Sequence, residues 1–135
     1  MVAHVVLPPE PASVRRARQH VAALLEAEGT GVSAELACLL VSELVTNAVL
    51  HAGSEVEVRV SAGPEVVRVE VVDGSARPAV RRHFSAESST GRGMLLVEAL
   101  ASGWGVEPRA TGKAVWFELA RSRAHSPGES GLRLA

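Results

Sequence analysis

Apolar positions recur along this chain in two rhythms, and the change between them separates helices from strands. Residues 2 to 7 read as a short edge strand closed by Pro8 and Pro9. Ser13 can then cap a helix that runs to about Glu28, where Gly29, Thr30 and Gly31 end it. Ser33 can cap a second helix, with Leu36, Leu39 and Leu40 as its first buried turns. From Glu55 the period falls to two. Val56, Val58 and Val60 alternate with Glu55, Glu57 and Arg59, and Ala62-Gly63-Pro64-Glu65 makes a hairpin connection to a returning strand. There Val67, Val69 and Val71 share one face, and the same parity carries Asp73 to the covered side.

Beyond Asp73 the periodicity lapses. Residues 74 to 90 hold Pro78 and the run Ser88-Ser89-Thr90 and read as a long loop, a common form for a lid. Gly91-Arg92-Gly93 then opens a helix over Met94 to Leu100, whose first turn offers free N–H groups beside glycines. Trp104 to Arg109 and Lys113 to Leu119 form a last pair of strands around Ala110-Thr111-Gly112, with Val115, Phe117 and Leu119 on one face. The expected fold is α+β, a two-layer α/β sandwich with a mostly antiparallel sheet and helices on one face. It occupies residues 1–120, and residues 121–135, rich in Ser, Gly and Arg, form a loose tail.

Composition narrows the function. With 135 residues the chain forms one domain, and 47% hydrophobic against 21% charged residues is globular. Only 3% is aromatic, so Val, Leu and Ala must build the core. A net charge of −1 gives no global sign of nucleic-acid or anionic-membrane binding. The clusters Arg15-Arg16-Arg18 and Arg81-Arg82-His83 read as solvated surface. The single cysteine, Cys38, lies in an apolar helical run and reads as a small hydrophobe, which fits a reducing cytoplasm. No leader pattern opens the chain and no run approaches the roughly 18 uncharged apolar residues of a membrane span, so a cytoplasmic protein is expected.

The chemistry concentrates on the second helix. Glu43, Asn47 and His51 recur at a spacing of four, so one stripe carries a carboxylate, a carboxamide and an imidazole. At 100° per residue, Glu43 and Asn47 fall in the sector of Leu36, Leu39, Leu40, Leu44 and Leu50. An acid among leucines needs a partner: a neighbouring arginine, a bound cation or a ligand. Asp73 poses the same choice, between an Asp-Gly turn and a ligand contact. Gly91-Arg92-Gly93 poses it a third time, between an anion cradle and a flexible joint.

Taken in order, these signals resemble the Bergerat ATP-binding fold shared by gyrase, heat-shock chaperone ATPases, mismatch-repair ATPases and histidine kinases. Ser42-Glu43-Leu44-Val45-Thr46-Asn47-Ala48-Val49-Leu50-His51-Ala52 is similar to the N box of the anti-sigma-factor serine/threonine protein kinases of the RsbW and SpoIIAB type. Thr90-Gly91-Arg92-Gly93-Met94-Leu95-Leu96-Val97 with Trp104-Gly105-Val106 is similar to their G2 box and following strand. Gly112 to Leu119 resembles their closing strand, so the likeness spans about Leu7 to Leu119.

The resemblance implies cofactors and roles. ATP and Mg2+ are the cofactors, with the Asn47 oxygen on the metal. Asp73 would accept from the adenine amino group, and Thr90, Gly91, Arg92 and Gly93 would hold phosphates, with Gly74 and Thr111 lying along the nucleotide. Glu43 would orient or deprotonate the attacking hydroxyl. His51 reads as a packing residue. One departure stands out: the family's G1 box runs Asp-x-Gly-x-Gly, whereas Asp73 is followed here by Gly74, Ser75, Ala76 and Arg77.

Histidine kinases carry a helical dimerisation domain and gyrase-like ATPases a transducer domain, and neither is legible here. The resemblance therefore implies a kinase that phosphorylates a Ser or Thr of an anti-anti-sigma partner and sequesters a sigma factor, with a homodimer as one open assembly. The alternative is a module that docks a partner without transferring phosphate, which the altered G1 box favours.

Overall fold

The structure, a computed structural model, describes residues 1–51, 53–74 and 97–121. Valine at every second position builds its centre. β2 (Val56–Ala62) and β3 (Val66–Asp73) turn Val56, Val58, Val60, Val67, Val69 and Val71 to one side, where all are buried. β4 (Gly103–Arg109) and β5 (Gly112–Ala120) form the second hairpin, and β5 inserts beside β3. β1 (Val2–Leu7) lies on the far edge as expected, giving the order β1-β2-β3-β5-β4 with every pairing antiparallel.

Among the described residues, two long helices cover one face of this sheet. α1 (Ala12–Ala27) buries Ala17, Val21 and Leu25, and α2 (Ala34–His51) buries Ala37, Leu40, Val41, Leu44, Val45 and Ala48. They meet the inward valines together with Val115, Phe117 and Leu119 in one core. Each valine, leucine or phenylalanine among them gains about 1.5–3 kcal/mol on burial. Phe117, fully buried, is the largest of them.

Helix ends follow local chemistry, with one correction. Ser33 caps α2 as expected, its Oγ accepting from Leu36 N–H at 3.1 Å. Gly29, at φ 57°, closes α1 in the left-handed conformation while Thr30 N–H reaches back to the Leu25 carbonyl at 3.3 Å. Ser13, expected as the cap of α1, is instead buried inside its first turn and donates to the Pro8 carbonyl at 2.6 Å. Pro11 stands at the cap position, so no side chain caps that end, and the hydroxyl is left to satisfy the preceding bend.

The second correction concerns α2. Leu39 and Leu50, expected among the buried leucines, are 41% and 59% exposed. A helix apolar nearly all round does not mark its inner face by leucine alone. α2 also has the length and mean hydropathy, 1.4 over 18 residues, of a membrane span, although Glu35 and Glu43 keep it short of the uncharged run named above. In this fold it is a core helix, packed beside α1 and against β2 and β3.

Arg121 belongs to the folded unit although the tail was expected to begin there. Its backbone N–H donates to Glu65 O at 2.8 Å, and its guanidinium donates to Thr30 O at 3.1 Å and Gly63 O at 2.6 Å. The rest of the expected tail, 122–135, lies outside the described residues.

Candidate functional site

Chain direction brings the candidate residues to one end of the sheet. Antiparallel register pairs Val56, the start of β2, with Asp73, the end of β3, and pairs Asp73 with Lys113 at the start of β5. α2 must deliver its C-terminal end nearby, because the five steps from His51 to Val56 span roughly 18 Å at most. His51 thus lies within that reach of the strand start paired with Asp73, and Asn47 lies one helical turn before His51.

Asp73 turns inward, as its parity predicts, and is 5% exposed. What the sequence reading missed is its partner. Lys113 Nζ lies 2.8 Å from Oδ2 and 3.1 Å from Oδ1, with both side chains almost wholly out of solvent. The signal was present: the alternation of Val115, Phe117 and Leu119, carried back one step, puts position 113 on the covered face. A buried ion pair of this kind holds its geometry only while both partners stay.

Backbone packing fixes this corner. A Cβ on Gly112 would fall 1.9 Å from the Asp73 carbonyl oxygen, so only glycine lets β5 start so close to the end of β3. Gly74 N–H donates to Ser54 Oγ at 2.9 Å and ties the end of β3 to the segment before β2.

On α2 the stripe divides. Asn47 is 2% exposed while Glu43, one turn earlier, is half-buried. By helical rotation Asn47 marks the rim of the buried sector, and Glu43 lies about 40° further out, towards Leu39 and Leu50. A buried carboxamide beside a more accessible carboxylate suits a ligand that reaches the helix from that rim. His51 is half-buried at the last turn.

Gly74 and Thr111 take a different aspect. Both are exposed and line a hollow of about 380 Å³ with Ser54, Glu55, Asp73 and Val72. Val72 faces away from the helices, so the hollow opens on the outer side of the same sheet end. Thr90, Gly91, Arg92 and Gly93 lie outside the described residues, as does most of the expected lid. Of the expected helix at 94–100, residues 97–100 are described and helical, with Val97 in the core.

Two other titratable groups are packing elements. Burial pushes the Cys38 thiol up, against a smaller lowering by Arg18, and its Sγ lies 3.5 Å from the Arg18 carbonyl. Such a thiol is a poor nucleophile at neutral pH. His20 is drawn below its ordinary value by burial first and by His4 second.

The donor chemistry fits a phosphate-borne metal better than a protein cage. Among the described residues, no group of three or more His, Cys, Asp or Glu could hold an ion. The Asn47 carboxamide supplies one hard oxygen, and Mg2+ commonly takes one or two protein oxygens and completes its shell with water and phosphate.

Comparison with known proteins agrees with this architecture. A family model described as histidine kinase-like ATPase domain matches residues 7–119. No curated protein matches the chain. The matched stretch runs from the end of β1 to the last buried position of β5 and so covers both helices and the corner around Asp73. The chain belongs to the histidine kinase-like ATPase domain family, and its coarse function is that of an ATP-binding regulatory domain.

Proposed function

We propose that this histidine kinase-like ATPase domain binds ATP with Mg2+ at the sheet end where α2 meets Asp73, and that it acts as an anti-sigma-factor serine/threonine kinase. The observation that carries the proposal is one of placement. An inward carboxylate ends β3, and a buried carboxamide lies one turn before the end of α2, whose last residue stands five positions before the strand start paired with that carboxylate. They supply the two kinds of group a nucleotide needs at its ends: a buried acceptor for a base amino group and a hard oxygen for the phosphate metal. The bound metal would supply charge neutralisation at the phosphates. Asn47 would hold it, and Asp73 would orient the base.

Glu43 is the catalytic candidate. Half-buried and one turn from Asn47, it can accept a proton from a protein hydroxyl arriving from the exposed rim of α2. Phosphoryl transfer asks mainly for such positioning. The acceptor would be a Ser or Thr of an anti-anti-sigma protein, with a sigma factor as the second partner. The likeness of Ser42 to Ala52 and of Gly112 to Leu119 to those kinases supports this. Incubation with radiolabelled ATP and a candidate acceptor tests it: labelled acceptor is expected with the native chain and lost in Glu43→Ala.

A second reading has its own observation. Lys113 already occupies both oxygens of Asp73, and the glycine expected two places beyond Asp73 is Ser75. Both favour a module that holds a partner without phosphate transfer. Partner binding with no labelled acceptor would select it.

A further inference from the structure

We infer that Lys113 reads the nucleotide base together with Asp73, donating to the ring nitrogen next to the amino group that Asp73 accepts. This rests on the nucleotide-site reading above and adds to it a residue that determines base specificity.

The argument begins with hydrogen-bond capacity. A lysine ammonium carries three N–H donors and accepts nothing, whereas a carboxylate offers about four lone-pair sites and donates nothing. Lys113 spends donors on Oδ1 at 3.1 Å and Oδ2 at 2.8 Å, its only hydrogen-bond partners among the described residues. One N–H therefore remains, on a side chain that is 5% exposed. A charged donor withdrawn from water without an acceptor is costly, and a ligand acceptor at that point would relieve it.

The required acceptor follows from the carboxylate's neighbour. Side by side, the pair displays an acceptor and a donor about one hydrogen-bond length apart. Adenine displays the complementary order on its pairing edge: the N6 amino group donates and the adjacent N1 accepts. Guanine seated the same way would turn its O6 towards the carboxylate and its N1–H towards the ammonium, so like would meet like at both positions. The pair favours adenine and opposes guanine, and Lys113 carries the half of that choice that a lone aspartate cannot make.

The β5 register supports a fixed donor rather than a mobile one. Lys113 follows Gly112, where any Cβ would strike the Asp73 carbonyl, and precedes Ala114 and Val115, both buried. Its stem therefore starts from a rigid strand, and the ammonium is anchored at its far end by two oxygens.

The test compares ligands before it compares variants. Calorimetric titration of the full chain with Mg2+ and either ATP or 1-deaza-ATP, in which N1 is replaced by C–H, removes only the acceptor in question. The native chain is expected to bind ATP roughly ten- to hundredfold more tightly, the range of a hydrogen bond to a charged group. Lys113→Met should bind the two nucleotides alike, and Lys113→Arg, which keeps a donor, should retain part of the preference. A lysine that only braces the fold would leave the ratio between the ligands unmoved in every variant. Equal binding of both by the native chain overturns the inference even if Lys113→Met cannot be produced folded, and so does a full preference surviving in Lys113→Met. Those results leave the nucleotide site standing, whereas a native chain that binds no ATP removes both.

Discussion

Lys113 and Asp73, forty positions apart, meet because β3 and β5 pair those two residues across an antiparallel ladder, and the ammonium touches both carboxylate oxygens at 2.8 and 3.1 Å. Removing one partner leaves the other charged and buried. Asp73→Leu or Lys113→Met alone is expected to cost about 3–5 kcal/mol, while the double variant costs less than the sum. Urea denaturation of the four proteins measures the coupling, and strictly additive losses would contradict a tight pair.

Gly112 sits under the same corner. Gly112→Ala places a methyl group 1.9 Å from the Asp73 carbonyl, a contact with backbone on both sides, so β5 must shift to accept it. A loss of about 3 kcal/mol or more is expected, the range of severe overpacking. Gly63→Ala serves as the control, because its nearest contact would be an ordinary 3.7 Å and its cost should be far smaller. Similar denaturation midpoints for the two variants would refute the close-packing account.

Much of this was legible in the sequence. Strict alternation marks which face of β2, β3 and β5 is covered, and the same parity turns Asp73 inward. The partner was missed because lysine at a strand start is ordinarily solvated, so the alternation of β5 was followed only to Val115. Ser13 misled because α1 already starts at Ala12 with Pro11 at the cap position, which puts the hydroxyl inside the first turn, where it donates to the Pro8 carbonyl. Leu39 and Leu50 misled because α2 is apolar on most sides, and neighbouring elements rather than its own pattern decide which leucines are covered. The phosphate-side residues Thr90 to Gly93 fall outside the described residues, so their part in the site rests on the sequence motif.

The outer face of the sheet makes a separate prediction. Arg68 reaches Glu70 at 2.9 Å, Glu107 at 3.2 Å and Glu118 at 3.3 Å, and its guanidinium carbon lies 4.1 Å from the centre of the Trp116 ring. Gly105 makes room for that ring, because a Cβ there would fall 2.9 Å from it. Arg68→Ala is expected to cost about 1–2 kcal/mol, more than an isolated surface pair, because one planar cation serves three carboxylates and a ring. The gap between variant and native chain should narrow in roughly 1 M salt. A gap that does not respond to salt would mean the arginine acts through its apolar stem instead.

His20 should make stability depend on pH. Its pKa lies below the ordinary 6.5 through burial first and the nearby His4 second, so the unfolded chain takes up a proton before the folded one does. Stability is therefore whole above about pH 6.5 and declines as pH falls below it, because the unfolded state binds more protons there. Thermal melts between about pH 7.5 and 5.5 should show a falling midpoint, with a shallower fall in His20→Gln. An equally steep fall in that variant would assign the effect to other groups.

The account turns on one nucleotide held between Asn47 on α2 and Asp73 at the end of β3. Calorimetric titration with ATP and Mg2+ of the native chain, Asn47→Ala and Asp73→Ala tests that claim most directly. The account predicts saturable binding by the native chain, at least tenfold weaker binding by each variant, and a loss of Mg2+ dependence in Asn47→Ala alone. Three indistinguishable titrations, from variants shown by melting to be folded, would contradict it.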